Sequence, residues 1–279
     1  MHPFWESFVR PILLAIEPRS IVEIGSENGF STRHLIEFCQ AHEVEFHAID
    51  PEPNFDVEAC AKEHARFVFH RSLSLEVLGT IDRFDAVLID GDHNWHTVFH
   101  ELKLIEQRSN ELDQPFPIVI LHDVEWPYGR RDMYYDPSTI PESYRNPYER
   151  KGMWPGESPL RNRGGLSPHL CNATHEKGPR NGVLTAIEDF LAETALELEL
   201  IRIPGYAGLA ILYRRQLPAD NRALGEFLET LALPPAVEEH IRRLEQNRIT
   251  LLIEVLERRQ AMRQAGRHRG PTVTPPRTR

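Results

Sequence analysis

Two stretches of this chain end apolar runs on groups that can ligate a cation or move a proton. "FDAVLIDGDHNWHTVFHEL", residues 84–102, leads into Asp90, Asp92 and His93, with His96 and His100 beyond, and "PIVILHDV", residues 117–124, closes on His122 and Asp123. A structural strand tip needs one polar cap, and each of these carries several groups. Carboxylates gathered in one crevice repel unless a proton, an arginine or a cation compensates them. For an oxygen-rich set that includes imidazole, a divalent ion such as Mg²⁺ or Mn²⁺ is the economical partner. Asp92 and His93 are the candidates for a base, histidine because its pKa lies near neutrality. His96 and His100, three and seven residues after His93, trace one face of the following helix, where histidine ordinarily packs or is solvated.

These tips can meet only if their strands are neighbours. Short branched apolar runs, each with a polar or glycine tip, predict strands at 20–25, 45–50, 65–70, 84–90, 117–124, 196–204 and 208–215. Helical spacing fills the gaps between the first five, in "STRHLIEFCQAH", "NFDVEACAKEH", "SLEVLGTI" and "TVFHELKLIEQRS". Alternation of strand and helix means parallel crossovers and a sheet covered on both faces. Only "GYAG" separates the last two strands, which permits an antiparallel hairpin alone. The carboxyl ends of central strands in such a sheet face the ligand crevice, which brings Asp90 and Asp92 towards His122 and Asp123.

Composition narrows the partners. The chain has 279 residues, 41% hydrophobic and 27% charged, which fits one large globular domain or one domain with an appendage. A formal net charge of -10 argues against nucleic acid as the main partner, since phosphate binding needs clustered Lys and Arg. No apolar run reaches the roughly eighteen residues of a membrane span, and the opening "MHPFWESFVRPILLAIEP" lacks the basic start and cleavage site of a leader. A cytoplasmic protein without membrane contact is expected. Cys39, Cys60 and Cys171 stand far apart with no C-x-x-C, which indicates neither a disulfide framework nor a structural zinc site.

Five parallel strands, a helix and a terminal hairpin resemble the class I S-adenosylmethionine-dependent methyltransferases, from about residue 1 to 215. "IVEIGSENGFST" places Glu23 in the first strand and Gly25 and Gly29 in the turn beyond it, where backbone N–H groups can approach a ligand. Glu27 replaces the middle glycine of a dinucleotide fingerprint, and an acid there disfavours a pyrophosphate. Relatives often carry a glycine at that place too. "FHAIDPEP" ends on Asp50, whose carboxylate suits two vicinal ribose hydroxyls. The resemblance implies an α/β, doubly wound, Rossmann-like seven-stranded sheet, with Glu23, Gly25, Ser26, Gly29, Ser31, Thr32, Asp50, Ser72 and Asp90 binding S-adenosylmethionine.

The paired tips of strands four and five are similar to the metal-dependent small-molecule and sugar O-methyltransferase branch, which includes macrocin O-methyltransferase and cephalosporin hydroxylase-like proteins. That likeness implies a metal on Asp90, His122 and Asp123, His122 standing where an acid is usual, and Asp92 or His93 as catalytic base. It implies methyl transfer to a small hydroxylated acceptor such as a sugar or glycosylated natural product. A metal-dependent hydrolase or hydroxylase at the same Asp/His site is the alternative enzyme, and a non-catalytic cofactor-binding scaffold the alternative outside catalysis.

Residues 124–181 interrupt this plan with a segment too long to be a plain connection. Its Tyr, Trp and Arg side chains, Arg130, Arg131, Arg145, Arg150, Arg161 and Arg163 among them, predict a folded lid whose aromatics and guanidiniums can face a substrate. His169, Asn172, His175, Glu176, Arg180 and Asn181 are further candidates for contact. Residues 216–262 form a helical appendage in which Val237, Ile241, Leu244, Leu251 and Val255 keep a heptad rhythm broken by Arg248, so a homodimer through these helices is expected. The basic, Pro-rich end, 263–279, is expected to be disordered.

Overall fold

The computed structural model of the protein describes residues 1–268. Its main sheet comprises β1 (Ser20–Ile24), β2 (Glu45–Ile49), β3 (Phe67–His70), β4 (Ala86–Ile89), β5 (Ile118–His122) and the distant pair β11 (Leu198–Ile203) and β12 (Leu209–Arg214). The spatial order is β11-β12-β5-β4-β1-β2-β3. β1 pairs in parallel with both β2 and β4, and β4 with β5, while β12 runs antiparallel to β5 and β11. The expected seven-stranded plan, parallel strands with a closing hairpin, is the fold that forms. Strand order reverses between β1 and β4, so the crevice opens where the glycine turn and the acid-bearing tips emerge.

Alternation along each strand divides the core. Ile21, Leu88, Ile120 and Ile211 point to a layer of α1 (Arg10–Ile16) and α2 (Phe30–His42), into which Leu35, Phe38 and Cys39 pack. Val22, Val87, Val119 and Leu212 point to the opposite layer. There α5 (Trp95–Glu111) contributes Val98, Leu102 and Ile105, and α6 (Val183–Glu193) contributes Ile187 and Phe190. Between these lie the shorter helices α3 (Val57–Glu63) and α4 (Ser74–Val77). The helical pattern read in "SLEVLGTI" shrinks to one α-turn and a 3₁₀ turn, too little chain being left before β4.

The insertion is folded. β6 (Met133–Tyr134), β10 (Cys171–Ala173) and β7 (Tyr148–Glu149) make a small antiparallel sheet, and β8 (Gly152–Trp154) pairs with β9 (Glu157–Arg161). After β12 come α7 (Leu217–Asp220), α8 (Arg222–Glu229) and α9 (Pro235–His268). α8 buries Leu224 and Leu228 in the core beside α1, so this part of the appendage belongs to the main body. Residues 263–268 continue α9, and the rest of the segment expected to be disordered, 269–279, lies outside the described residues. Among the described residues no helix is long and apolar enough to cross a membrane.

Candidate active site

The turn after β1 touches the tip of β4 through bare backbone. Gly25 has φ 85°, and a Cβ there would lie 2.4 Å from the carbonyl oxygen of Asp90, so any side chain would force the two segments apart. Glu27 sits at φ 43°, a left-handed conformation that explains why glycine suits this place better. Asp50 holds the loop in shape: its Oδ2 accepts from Ser26 N (2.8 Å), Ser26 Oγ (3.1 Å) and Glu27 N (2.8 Å), and its Oδ1 from Glu52 N (2.8 Å). The acid expected to bind ribose is thus largely engaged by the loop, with one lone-pair direction of Oδ1 left for a ligand.

Glu23 is buried in β1 at 2% exposure, and one oxygen accepts from Thr32 Oγ1 at 2.7 Å. Thr32 therefore reaches Glu23 from the first turn of α2. The other oxygen, Oε1, has no hydrogen-bond partner among the described residues. Burial, with the Asp90 and Asp50 charges adding to it, pushes the Glu23 pKa up to about 8. A cationic group is what this orphaned oxygen lacks, and one ammonium already lodges in the crevice: that of Met1 pairs with Asp90 Oδ2. Ser72, by contrast, donates to the Glu76 side chain of α4, and Ser31 and Gly29 stand at the start of α2.

Beyond the loop the acids and histidines meet. Ligand atoms of Asp90, His93 and Asp123 all lie within 4.8 Å of one another. Asp123, at φ 59°, turns its carboxylate back across the tip of β5. His93 Nε2 is 2.8 Å from Asp123 Oδ2 and 3.9 Å from Asp90 Oδ1, yet neither ring nitrogen is placed to hydrogen-bond. His122 Nδ1 lies 2.9 Å from Asp90 Oδ1 and 2.8 Å from Asp123 Oδ2. Its Nε2–H donates to the Tyr206 carbonyl (2.9 Å) in the β11–β12 turn, which aims Nδ1 at the acids. The resemblance implies His122 on the metal and Asp92 or His93 as the base; in space both imidazoles face the same pair of carboxylates, and the compact triad contains His93.

The electrostatics follow from that crowding. Burial lowers the pKa of His93 and His122, but the charges of Asp123 and Asp90 outweigh it and push both up to about 10. Burial raises Asp123, and the two imidazolium charges outweigh it and hold the carboxyl well below its ordinary range. Positive charge is what this pair of acids demands.

Asp92 departs from the cluster. Its Oδ2 accepts from Thr97 Oγ1 (3.1 Å) in the first turn of α5, whose N-cap is Asn94. Beneath it lies an acid the sequence reading passed over: Glu101, fully buried on the apolar face of α5, accepts from Ser74 Oγ at 2.5 Å and leaves Oε2 unpartnered. The signal was a charged residue set beside Val98, Leu102 and Ile105 on one helical stripe. Burial and the neighbouring Asp92 push its pKa up to about 8. A raised carboxyl favours the protonated folded state, so its contribution is intact below the unfolded pKa near 4.5 and is lost as pH rises through about 8. Glu101→Gln is expected to gain stability over wild type progressively from pH 5 to 8, by on the order of a few kcal/mol. Calorimetric melting across that range checks it, a pH-independent difference being the contrary result.

His96 and His100 do not reach the acids. Their rings sit 4.2 Å apart against Tyr144 of the insertion, with Arg180 over Trp95 and Tyr144. This is a packing seam between α5 and the lid. Burial lowers the His96 pKa to about 4, so it is neutral there.

The lid closes over His93 with two tyrosines that no periodicity singled out. Tyr128 stacks on the His93 ring (5.1 Å, 11°), and Tyr135, 56% exposed, tilts over it at 6.1 Å. Three of the expected arginine grips are engaged by the chain itself, Arg130 by α6 and Arg131 and Arg161 within the lid. Arg130 pairs with Glu188, Arg161 pairs with Glu157 and stacks on Trp154, and fully buried Arg131 donates to the carbonyls of Ala173 and Ser158. Asn172 and Asn181 likewise donate to lid carbonyls, Asn172 to those of Lys151 and Ser167 and Asn181 to those of His175 and Lys177. His169 and His175 are exposed. A segment this polar first satisfies its own backbone.

Residues 22–124 match the model of a family described as a methyltransferase domain. That segment runs from β1 through the tip of β5 and carries the glycine turn, Asp50, Asp90, His93, His122 and Asp123, so the similarity falls on the part of the chain that builds the crevice. No curated protein matches the chain by sequence. Solved structures of similar fold include the S-adenosylhomocysteine-bound methyltransferase PaMTH1 of Podospora anserina, 18% identical, covering 74% of this chain and 76% of that one at a TM-score of 0.46. Another is the 1,6-didemethyltoxoflavin-N1-methyltransferase of Burkholderia thailandensis with bound 1,6-didemethyltoxoflavin and S-adenosylhomocysteine, 15% identical over 74% of this chain and 76% of that one, TM-score 0.40.

Proposed function

We propose that this protein transfers a methyl group from S-adenosylmethionine to a hydroxyl of a small acceptor, a sugar or glycosylated natural product, at a divalent-cation site of Asp90, His93 and Asp123. The observation that carries the reading is the convergence of those three side chains beside the glycine turn. The donor set fits a cation: two carboxylates of like charge, Asp123 buried and Asp90 half-buried, and an imidazole whose nitrogens are buried without hydrogen bonds. Glu23, with its orphaned oxygen, fits the positively charged amino acid end of the methyl donor. When bound, the cation supplies a lowered pKa for a hydroxyl held on it.

The chain's own groups do the rest. Asp90 and Asp123 would hold a cation at the tips of β4 and β5, and His122, anchored by the Tyr206 carbonyl, keeps a second imidazole against them. With the charge of the two acids offset, nothing keeps His93 as an imidazolium, and its ring can ligate or accept the proton that the hydroxyl loses. Asp92 suits that role less, being engaged at the cap of α5. Tyr128 fixes the plane of His93, and Tyr135 offers an exposed aromatic face above it for a sugar ring. The lid excludes water from the displacement.

Isothermal titration with S-adenosylhomocysteine is expected to show binding that weakens at least tenfold in Glu23→Gln, and with Mn²⁺ a binding event absent after Asp90→Ala. Binding of neither ligand to the wild-type protein would defeat the reading. Two imidazoles beside two carboxylates also suit an iron-dependent hydroxylation; consumption of oxygen without release of S-adenosylhomocysteine would favour that chemistry instead.

A further inference from the structure

We infer that α9 is a self-association surface, and that two copies of this chain pair through it in antiparallel orientation about a two-fold axis between residues 249 and 250. The helix has two apolar faces. One, with Ile249 and Ile253 buried at 4% and 0%, seats it on the body, where Arg242 pairs with Glu125, Glu257 accepts from Gly165 N and Glu245 from Ala207 N. The other is turned to solvent: Val237, Leu244, Leu251, Val255 and Met262 are between 43% and 67% exposed, flanked by Leu252 and Leu256. Among the described residues, most of the exposed large apolar side chains lie on this one helix. An apolar stripe of this length, about 37 Å at 1.5 Å per residue, is what a solitary surface helix lacks and an interface possesses.

The spacing identifies the occupant. Positions 237, 241, 244, 248, 251, 255, 258 and 262 alternate steps of four and three, the seam of a left-handed helix pair, and such a seam is complementary to itself. Two of its members are Arg248 and Arg258. A parallel pair would set each against its own copy, whereas an antiparallel pair sets Arg248 beside Leu251, Arg258 beside Ile241, and joins Leu244 to Val255 and Val237 to Met262. Like charges facing one another are destabilising, so the arginines select the antiparallel register. The segment beyond the helix is a poor alternative cover, because residues 269–279 contain a single large apolar side chain, Val273.

Sedimentation equilibrium of the full chain across micromolar concentrations is expected to give twice the monomer mass. The exposed substitutions Leu244→Glu with Leu251→Glu are expected to weaken association at least a hundredfold while the circular-dichroism spectrum stays that of the folded wild type. A monomeric wild type, or a dimer that ignores both changes, overturns the inference. Orientation is read by mixing Leu244→Cys chains with Val255→Cys chains under mild oxidation, with wild type setting the background from its own cysteines. Cross-linking in the mixture alone supports the antiparallel pair, and cross-linking of Leu244→Cys to itself overturns it.

Discussion

Asp123→Asn is expected to lower kcat/KM for the acceptor by about a thousandfold, equivalent to roughly 4 kcal/mol of transition-state stabilisation, and to abolish the heat of Mn²⁺ binding. Asparagine tolerates the left-handed backbone that Asp123 adopts at φ 59°, so the tip of β5 is kept and the charge alone is removed. Both imidazoles depend on that charge. In the metal-free protein the raised pKa of His93 and His122 contributes stability that is complete below the unfolded histidine pKa near 6.5 and lost as pH rises through about 10. The depressed Asp123 carboxyl contributes stability present above its unfolded pKa and lost on acidification. The interaction is therefore strongest between about pH 4 and 6.5, and the melting difference between wild type and Asp123→Asn is expected to peak there. Full turnover with the asparagine variant, or a difference that grows towards pH 10, would show that Asp123 neither holds a cation nor charges the imidazoles.

The sheet and the two acid-bearing tips were legible because their cause is local. Val22, Val87 and Val119 alternate with Ile21, Leu88 and Ile120, and a period of two bounded by turn residues can be read without knowing what packs on it. From the strand order, the meeting of Asp90 with Asp123 followed as topology. The division of labour between His93 and His122 did not, because it depends on one hydrogen bond from Nε2 of His122 to the Tyr206 carbonyl, 84 residues away. Nor did the fate of the lid arginines. Arg131 carries the same charge as any other guanidinium in the segment, and only the path of Ala173 and Ser158 around it makes it structural. Asp50 teaches the same lesson more sharply: an acid at a strand tip reads as a ligand, and here the loop's own N–H groups reach it first.

Asp132 is the residue on which the lid and the site jointly depend, and Asp132→Ala is expected to destabilise the protein by about 4 kcal/mol or more. Its carboxylate is fully buried and accepts four hydrogen bonds, from Trp95 N and Gly182 N at Oδ1 (both 2.7 Å) and from the Tyr134 hydroxyl and Asn146 Nδ2 at Oδ2 (both 2.8 Å). Removing the acceptor strands the Trp95 N, Gly182 N and Tyr134 hydroxyl donors away from water, each with its own desolvation penalty, while Asn146 Nδ2 keeps the Arg180 carbonyl. For a domain of this size the melting temperature should fall by roughly 10 °C. The damage reaches the chemistry by a short route, since Met133 N, one residue on, donates to the His93 carbonyl at 2.9 Å. Together with the bond to Trp95 N, this contact pins the turn that carries His93 on both sides. Asp132→Ala should therefore lose Mn²⁺ binding as well as stability, and should open residues 124–181 to limited proteolysis before the sheet unfolds. Asp132→Asn keeps an acceptor for the two backbone donors but turns an amide towards Asn146, and its loss should be intermediate. An alanine variant that melts within 2 °C of wild type and resists proteolysis in the lid would show that other contacts, not this carboxylate, hold the insertion over His93.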